Sequence, residues 1–282
     1  MLNKEEFFIK QFHSKYIGDD GAVMSHNNPN LVYSMDAFFE GIHFKREWLN
    51  LKQIAIKSML VNISDALVMG AIPKYALLSI SIPKEFCKSD LIELADGFKE
   101  VSRKYNLDII GGDTISNSKL DISVTIISEL LDKPLLRTGA KKGFLVAYVD
   151  KMGSKLGNSK KDLNRLFRNL PIKKDSKFIT PKLKPNFIKD IAKYIATCTD
   201  ISDGLDIELA RFSKANNLGI SLCQDISKDI MCSGEEYEPL FSFDKKYLSK
   251  IKNIAKKHKI RLNVVGNTSR GRYKSKCKNH HE

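Results

Sequence analysis

The sequence predicts a mixed α/β protein in two parts, an α+β half over residues 1–138 and an α/β half over residues 139–282. Three observations carry this. Strand-like and helix-like hydrophobic periodicities alternate from Leu31 to Leu130 in the order βαβαβ. The pattern pauses over the polar stretch Arg137-Thr138-Gly139-Ala140-Lys141-Lys142-Gly143 and restarts with the apolar run Phe144 to Val149. A chain of 282 residues is also long enough to bury two cores.

The elements follow in order. Leu31 to Phe39 alternates apolar and polar side chains, a strand that leads to the turn at Gly41. From Leu51 to Met69, Ile54, Ser58, Val61, Asp65 and Val68 recur at helical spacing, and Gly70 followed by Pro73 ends the helix. Tyr75 to Ile82, bounded by Pro73 and Pro83, reads as a strand, and Ser89 can cap a helix from Asp90 to Tyr105. A short buried strand, Leu107 to Ile110, is expected to run into a Gly111-Gly112-Asp113 loop, with Leu120 to Leu130 as the next strand. The second half reads as the buried strand Phe144 to Val149, a glycine-bearing loop from Gly153 to Gly157, and a crossover marked by Pro171, Pro181 and Pro185. A helix after Pro185, another over Leu205 to Asn216, an extended Ile220 to Cys223 and a helix–strand pair from Lys245 to Val265 complete it. The basic tail from Gly266 is expected to be loosely ordered.

Composition narrows the class of function. Forty-seven Lys and Arg against 33 Asp and Glu give a formal charge of +14. The basic residues are spread along the chain without an arginine-rich block, an aromatic RNA-binding pattern or zinc-finger spacing, so the charge reads as a solvated surface and no nucleic-acid partner is expected. Such a field also attracts anionic small substrates. No apolar run approaches the ~20 residues that span a bilayer, so no membrane partner is expected. The N-terminus lacks the basic-then-apolar layout of a signal peptide. Five cysteines without a C-x-x-C pair read as reduced thiols of a cytoplasmic protein, neither a zinc site nor a disulfide frame.

Against this basic background stand four acidic signatures: Gly18-Asp19-Asp20, Asn62-Ile63-Ser64-Asp65, Gly111-Gly112-Asp113-Thr114 and Asp200-Ile201-Ser202-Asp203-Gly204-Leu205. Each sets a carboxylate beside glycine or small polar residues, or inside an apolar stretch. Asp65 lies on the apolar stripe near the C-terminal end of its helix, where the dipole disfavours an anion. Carboxylates gathered from distant segments repel one another, and a hard divalent cation bound to a polyphosphate is the economical counter-charge. An ATP-dependent phosphoryl transfer is therefore expected. The chain has no G-x-x-x-x-G-K-[ST] motif, no protein-kinase motif set and no G-x-S-x-G elbow.

In this order the signatures resemble the thiamine-monophosphate kinases of the aminoimidazole-ribonucleotide-synthetase superfamily. The resemblance runs through Ile17-Gly18-Asp19-Asp20, Ser34-Met35-Asp36, Glu40-Gly41-Ile42-His43-Phe44, Asn62 to Asp65 with Met69-Gly70-Ala71, Gly111 to Thr114, Arg137 to Ala140, Asp200 to Leu205, and Ser233 to Glu238. It implies an N-terminal domain that dimerises through its sheet and a C-terminal α/β domain completing the site. It also implies that Asp20, Asp36, Asp65, Asp113, Asp200 and Asp203 would hold several magnesium ions, with Asp19 and Ser34 nearby. Tyr105, Gly112, Arg137 and Ser202 would contact ATP, while His43 and Glu235 would face thiamine monophosphate. No covalent nucleophile is expected. The family's usual Gly-Glu-Asp-Tyr-Glu-Leu reads Gly234-Glu235-Glu236-Tyr237-Glu238-Pro239 here.

Overall fold

A computed structural model describes residues 19–24, 30–151, 156–223 and 225–277. Gly18 of the first signature and Gly153 of the second-half loop lie outside the described residues. Among the described residues, ten strands form two five-stranded sheets. The first comprises β1 (Ala22–Met24), β2 (Leu31–Phe39), β3 (Ala71–Pro83), β4 (Asp108–Asn117) and β5 (Asp121–Leu130), in the order β1-β2-β5-β3-β4. The second comprises β6 (Leu145–Lys151), β7 (Thr197–Asp200), β8 (Gly219–Leu222), β9 (Pro239–Phe243) and β10 (Ile260–Ser269), in the order β7-β9-β6-β10-β8.

Helix α1 (Leu51–Val68) begins with a reciprocal cap: Gln53 N donates to Asn50 Oδ1 at 2.8 Å, and Asn50 N donates to Gln53 Oε1 at 3.0 Å. It is buried on nearly every face because it lies between the first sheet, α2 (Lys88–Tyr105) and the second half. Gly97 permits the close approach of α2, since a Cβ there would sit 2.4 Å from the Lys52 carbonyl oxygen. One apolar cluster joins Phe38, Ile54, Met59 and Ile126 of the first half to Val149, Phe187, Phe241 and Ile251 of the second. The core thus continues through α1 from one sheet to the other, and Asp65, the one acidic residue of α1, is held at that junction. The remaining helices are α3 (Asn158–Phe167), α4 (Pro185–Ile191), α5 (Leu205–Asn216), the short α6 (Lys228–Met231) and α7 (Leu248–Lys257). Among the described residues, no helix is long and apolar enough to cross a membrane.

Several expectations are corrected. The α2 cap is Cys87, not Ser89, and the Cys87 amide donates to Asp90 Oδ2 at 2.8 Å. Strand β3 starts at Ala71, before Pro73. Proline fits because pairing with β4 begins only at Tyr75 and the register with β5 shifts between Pro73 and Tyr75. Gly111-Gly112-Asp113 is not a loop but the interior of β4, an exposed edge strand parallel to β3. Gly112 has φ 146°, and a Cβ there would lie 1.7 Å from the Leu78 carbonyl oxygen, so only glycine allows this pairing. The buried strand β9 was not foreseen.

The tail is also more ordered than expected over its described part. Beyond β10, Asp206 at the start of α5 accepts from Tyr273 Oη at 2.5 Å, Ser275 Oγ at 2.7 Å, Lys276 N at 2.6 Å and Cys277 N at 2.9 Å. Burial opposes ionisation of Asp206, but these donors hold its carboxyl below the usual range. This docking brings Cys277 to Cys232, and the two form a disulfide with Cα atoms 5.5 Å apart. The expectation of five unpaired thiols is overturned for this pair, which is separated by 45 residues. Cys87, Cys198 and Cys223 are free.

Candidate active site

Four segments far apart in sequence converge at the junction of the two halves. Asp20 precedes β1, Asp36 lies on β2, Asp65 on the last turns of α1, and Asp200 ends β7. Carboxylate oxygens of Asp20, Asp65 and Asp200 all lie within 4.8 Å of one another. Asp36 is hydrogen-bonded to Asp65. Ser64 Oγ donates to Asp200 Oδ2 at 2.6 Å, and Thr199 Oγ1 donates to Asp20 Oδ1 at 3.3 Å. Ser34, buried on β2, donates instead to the Asn62 carbonyl at 3.5 Å.

The charge balance of this group is unfavourable by itself. The adjacent cation is Arg137, whose guanidinium embraces Asp20, with Nε donating to Oδ2 at 3.1 Å and Nη2 to Oδ1. The Arg137 amide also donates to both oxygens of Asp19 at 3.1 Å. Burial first, then the charges of Asp20 and Glu235, push Asp36 up to about 6. Burial and the neighbouring carboxylates push Asp65 and Asp200 well above the usual range, and burial pushes Asp19 up as well. The carboxyls are raised because one guanidinium does not balance them.

The donor set fits a hard divalent cation. It is all oxygen, and carboxylate oxygens around one Mg²⁺ stand about 3 to 4.2 Å apart, within the spacing of Asp20, Asp65 and Asp200.

The other expected residues are placed differently. Asp203 is buried and engaged by Arg211, whose Nη2 lies 2.6 Å from Asp203 Oδ2 while Nη1 lies 2.6 Å from Glu208 Oε1. Burial raises Glu208 to about 7 against the pull of Arg211. Asp113 does not join the cluster within one chain. The residue before it, Gly112, pairs with Leu78, Leu78 with Val124, and Val124 with Asp36, so three strand spacings, about 14 Å, separate β4 from Asp36. Asp113 pairs with Ser79 and is exposed. Tyr105 lines a separate cleft of about 850 Å³ with Lys104, Lys182 and Leu183, and burial raises its phenol to about 12.

Ser202 lends its carbonyl to the Glu235 amide at 2.6 Å. His43 sits in the turn after β2, accepts from the Phe39 amide at Nδ1 (3.0 Å) and stacks on Phe38. Lys57 Nζ also lies over the Phe38 ring, 5.8 Å from its centre, and is 2.7 Å from Glu235 Oε2. His43 and Glu235 are thus linked through Phe38 and Lys57, His43 touching the ring and Glu235 the ammonium. The substituted Glu236 is buried and fully employed. It pairs with Lys177 and accepts from Gly157 N at 2.8 Å, Ser159 N at 3.3 Å and Ser233 Oγ at 2.5 Å.

A family signature described as "AIR synthase related protein, N-terminal domain" matches residues 18–130. The thiamine-monophosphate kinase of Buchnera aphidicola subsp. Schizaphis graminum is 33% identical over 280 residues, covering 89% of this chain and 84% of that protein. The chain belongs to the thiamine-monophosphate kinase family. The Bacillus subtilis thiamine-monophosphate kinase is 31% identical over 220 residues, covering 74% of this chain and 67% of that protein. The solved structure of AaThiL complexed with AMPPCP and TMP shares the fold with a TM-score of 0.83 at 23% identity, over 100% of this chain and 96% of that one. The thiamine-monophosphate kinases are phosphotransferases, and the fold is that of the AIR synthase group.

Sequence reasoning missed Ser64, Thr199, Arg211 and Lys57 as parts of this site. Lys57 left a legible trace, since it stands three residues after Ile54 and four before Val61, on the buried face of α1.

Proposed function

We propose that this chain phosphorylates thiamine monophosphate to thiamine diphosphate with ATP as donor and Mg²⁺ as the required cation. One observation carries the reading: four carboxylates from four distant segments, too many for Arg137 to balance, meet at one point. When bound, Mg²⁺ supplies the charge neutralisation that a transferring phosphoryl group needs. Asp20, Asp36, Asp65 and Asp200 would hold it, with Asp19 fixed behind them by the Arg137 amide.

The chain's own residues position the partners. Arg137 is anchored by Asp20 with its guanidinium partly exposed, so it can meet a donor phosphate without losing its place. Ser202, beside the cluster, offers a hydroxyl to the same donor. His43 and Glu235 orient the acceptor. An oxygen of the acceptor's phosphate attacks the γ-phosphorus in line, the bond to the ADP oxygen breaks, and no enzyme-bound phosphate forms. That acceptor oxygen is already ionised at neutral pH, so no general base is required. ATP as donor suits a cytoplasmic enzyme.

The reading extends to a homodimer. Met35, Tyr75, Leu77 and Ile115 are exposed on the face of the first sheet turned away from the helices, with Met35 64% and Ile115 57% accessible. A second copy is the occupant that such a self-complementary sheet face suits. It would also bring Asp113, three strands from Asp36 within one chain, to a cluster across the dimer. We place the domain boundary at residues 138 and 139, between the strands of the two sheets.

Two experiments test this. Titration calorimetry with Mg²⁺ and a non-hydrolysable ATP analogue should show binding of thiamine monophosphate and none of free thiamine or an aminoimidazole ribonucleotide. Preference for either of the latter overturns the acceptor assignment. For the shared site, Asp36→Asn and Asp113→Asn proteins should each be inactive, while an equal co-refolded mixture should recover about a quarter of wild-type turnover, since half the dimers carry one native site. No recovery would place Asp113 outside the partner's site.

A further inference from the structure

Lys57 is a fully buried cation that this mechanism leaves without a task. It lies in the middle of α1 with no accessible surface. Its ammonium is 2.7 Å from Glu235 Oε2, 3.6 Å from the centre of the Phe178 ring and 5.8 Å from that of Phe38. One carboxylate and two aromatic faces surround the ammonium. A buried ion pair is seldom more stable than an apolar pair of similar volume, and a methionine at position 57 would suit a helix packed on nearly every face. Stability alone does not call for lysine here.

Its partner is held unusually tightly. Glu235 has φ 60°, a left-handed conformation that costs energy for a residue with a Cβ. Its amide donates to the Ser202 carbonyl at 2.6 Å, which ties the loop to the Asp200 segment. Tyr237 Oη donates to Glu235 Oε1 at 3.2 Å, while Lys57 takes Oε2. Both carboxylate oxygens are thus fixed, and the side chain remains partly accessible at 23%. Freed from Lys57, the partly exposed carboxylate could rotate into solvent.

We propose that Lys57 is a positioning residue for the acceptor, holding the Glu235 carboxylate in one rotamer so that it meets the cationic thiazolium of thiamine monophosphate. The inference rests on the reading that Glu235 faces the acceptor. It assigns Lys57 to acceptor recognition and not to the donor, which lies with Arg137 and Ser202.

Steady-state kinetics of Lys57→Met, Glu235→Gln and the double variant, each with both substrates varied and with melting curves recorded, separate the possibilities. Lys57→Met should raise KM for thiamine monophosphate about tenfold or more, with kcat and KM for ATP changed less than about twofold. The double variant should be no worse than Glu235→Gln alone, because the lysine acts only through that carboxylate. If Glu235→Gln raises this KM and Lys57→Met does not, the inference fails while the acceptor reading stands. If Glu235→Gln leaves it unchanged, the acceptor reading itself falls. A Lys57→Met protein that merely melts earlier, with native KM, shows a structural role and overturns the proposal. Should Lys57→Met fail to fold, Phe178→Leu strips one ring from the ammonium and keeps the ion pair. It should raise the same KM about two- to threefold, and an unchanged value overturns the proposal.

Discussion

Asp65→Asn is expected to abolish phosphoryl transfer, by about three orders of magnitude or more in kcat, while making the metal-free protein more stable. The two effects have one cause. Asp65 sits among Asp20, Asp36 and Asp200, where burial and like charges already force its carboxyl well above the usual range. Asparagine removes one of those charges, keeps the shape, and can donate an N–H to Asp36. Relief of the repulsion should add about 1–2 kcal/mol to the unliganded fold. The same change removes an anionic oxygen from a cation site that needs every charge it has. Calorimetric melting in EDTA beside a turnover assay checks both signs. A variant that turns over near the wild-type rate, or melts well below it, contradicts the assignment of Asp65 to a cation site.

The second large effect concerns Mg²⁺ and pH together. In the metal-free protein Asp36 rises from 3.8 to about 6, and Asp65 and Asp200 are also raised well above the usual carboxylate range. Between the ordinary value and the raised one, the folded state binds more protons than the unfolded state. Stability is therefore greatest at the acid side of that window and is lost as pH climbs through about 6 and beyond. Metal-free protein should melt at a higher temperature at about pH 5.5 than at about pH 8. Mg²⁺ replaces those protons, so millimolar Mg²⁺ should raise the melting temperature strongly at the higher pH and weakly at the lower. Equal stabilisation at both values, or none at the higher one, would mean the cluster is not the metal site. Asp65→Asn should flatten the pH dependence and blunt the response to Mg²⁺.

How far the sequence foretold this arrangement depended on whether the information was local. Helix α1 was legible through Leu51–Val68 because its apolar stripe is long, and Asp65 stood out on that stripe as a carboxylate needing compensation. Strand β2 and helix α5 were legible for similar reasons. Gly111-Gly112-Asp113 was misread because two glycines and an aspartate have the composition of a turn. Only the pairing with Leu77, Leu78 and Ser79 shows that they run through an edge strand. The bridge between Cys232 and Cys277 depends on the tail docking on Asp206, a contact across about 70 residues that no spacing rule reveals. Lys57 was hidden by a general habit of reading lysine as surface, in a chain where lysine is abundant. The meeting of Asp20, Asp36, Asp65 and Asp200 was expected from the family resemblance and from the repulsion that separate acidic signatures imply. The pairing of Asp203 with Arg211, beside a cluster whose Asp36 feels the Asp203 charge, was not, since it depends on a side chain two turns along α5.

The most direct test is whether the purified protein makes thiamine diphosphate. Incubated with thiamine monophosphate, ATP and Mg²⁺, and followed by chromatography, it should form thiamine diphosphate and ADP in equal amounts, and none of either when EDTA replaces Mg²⁺. A folded protein that binds ATP and thiamine monophosphate yet yields no thiamine diphosphate, or one that yields it equally well in EDTA, would contradict the account.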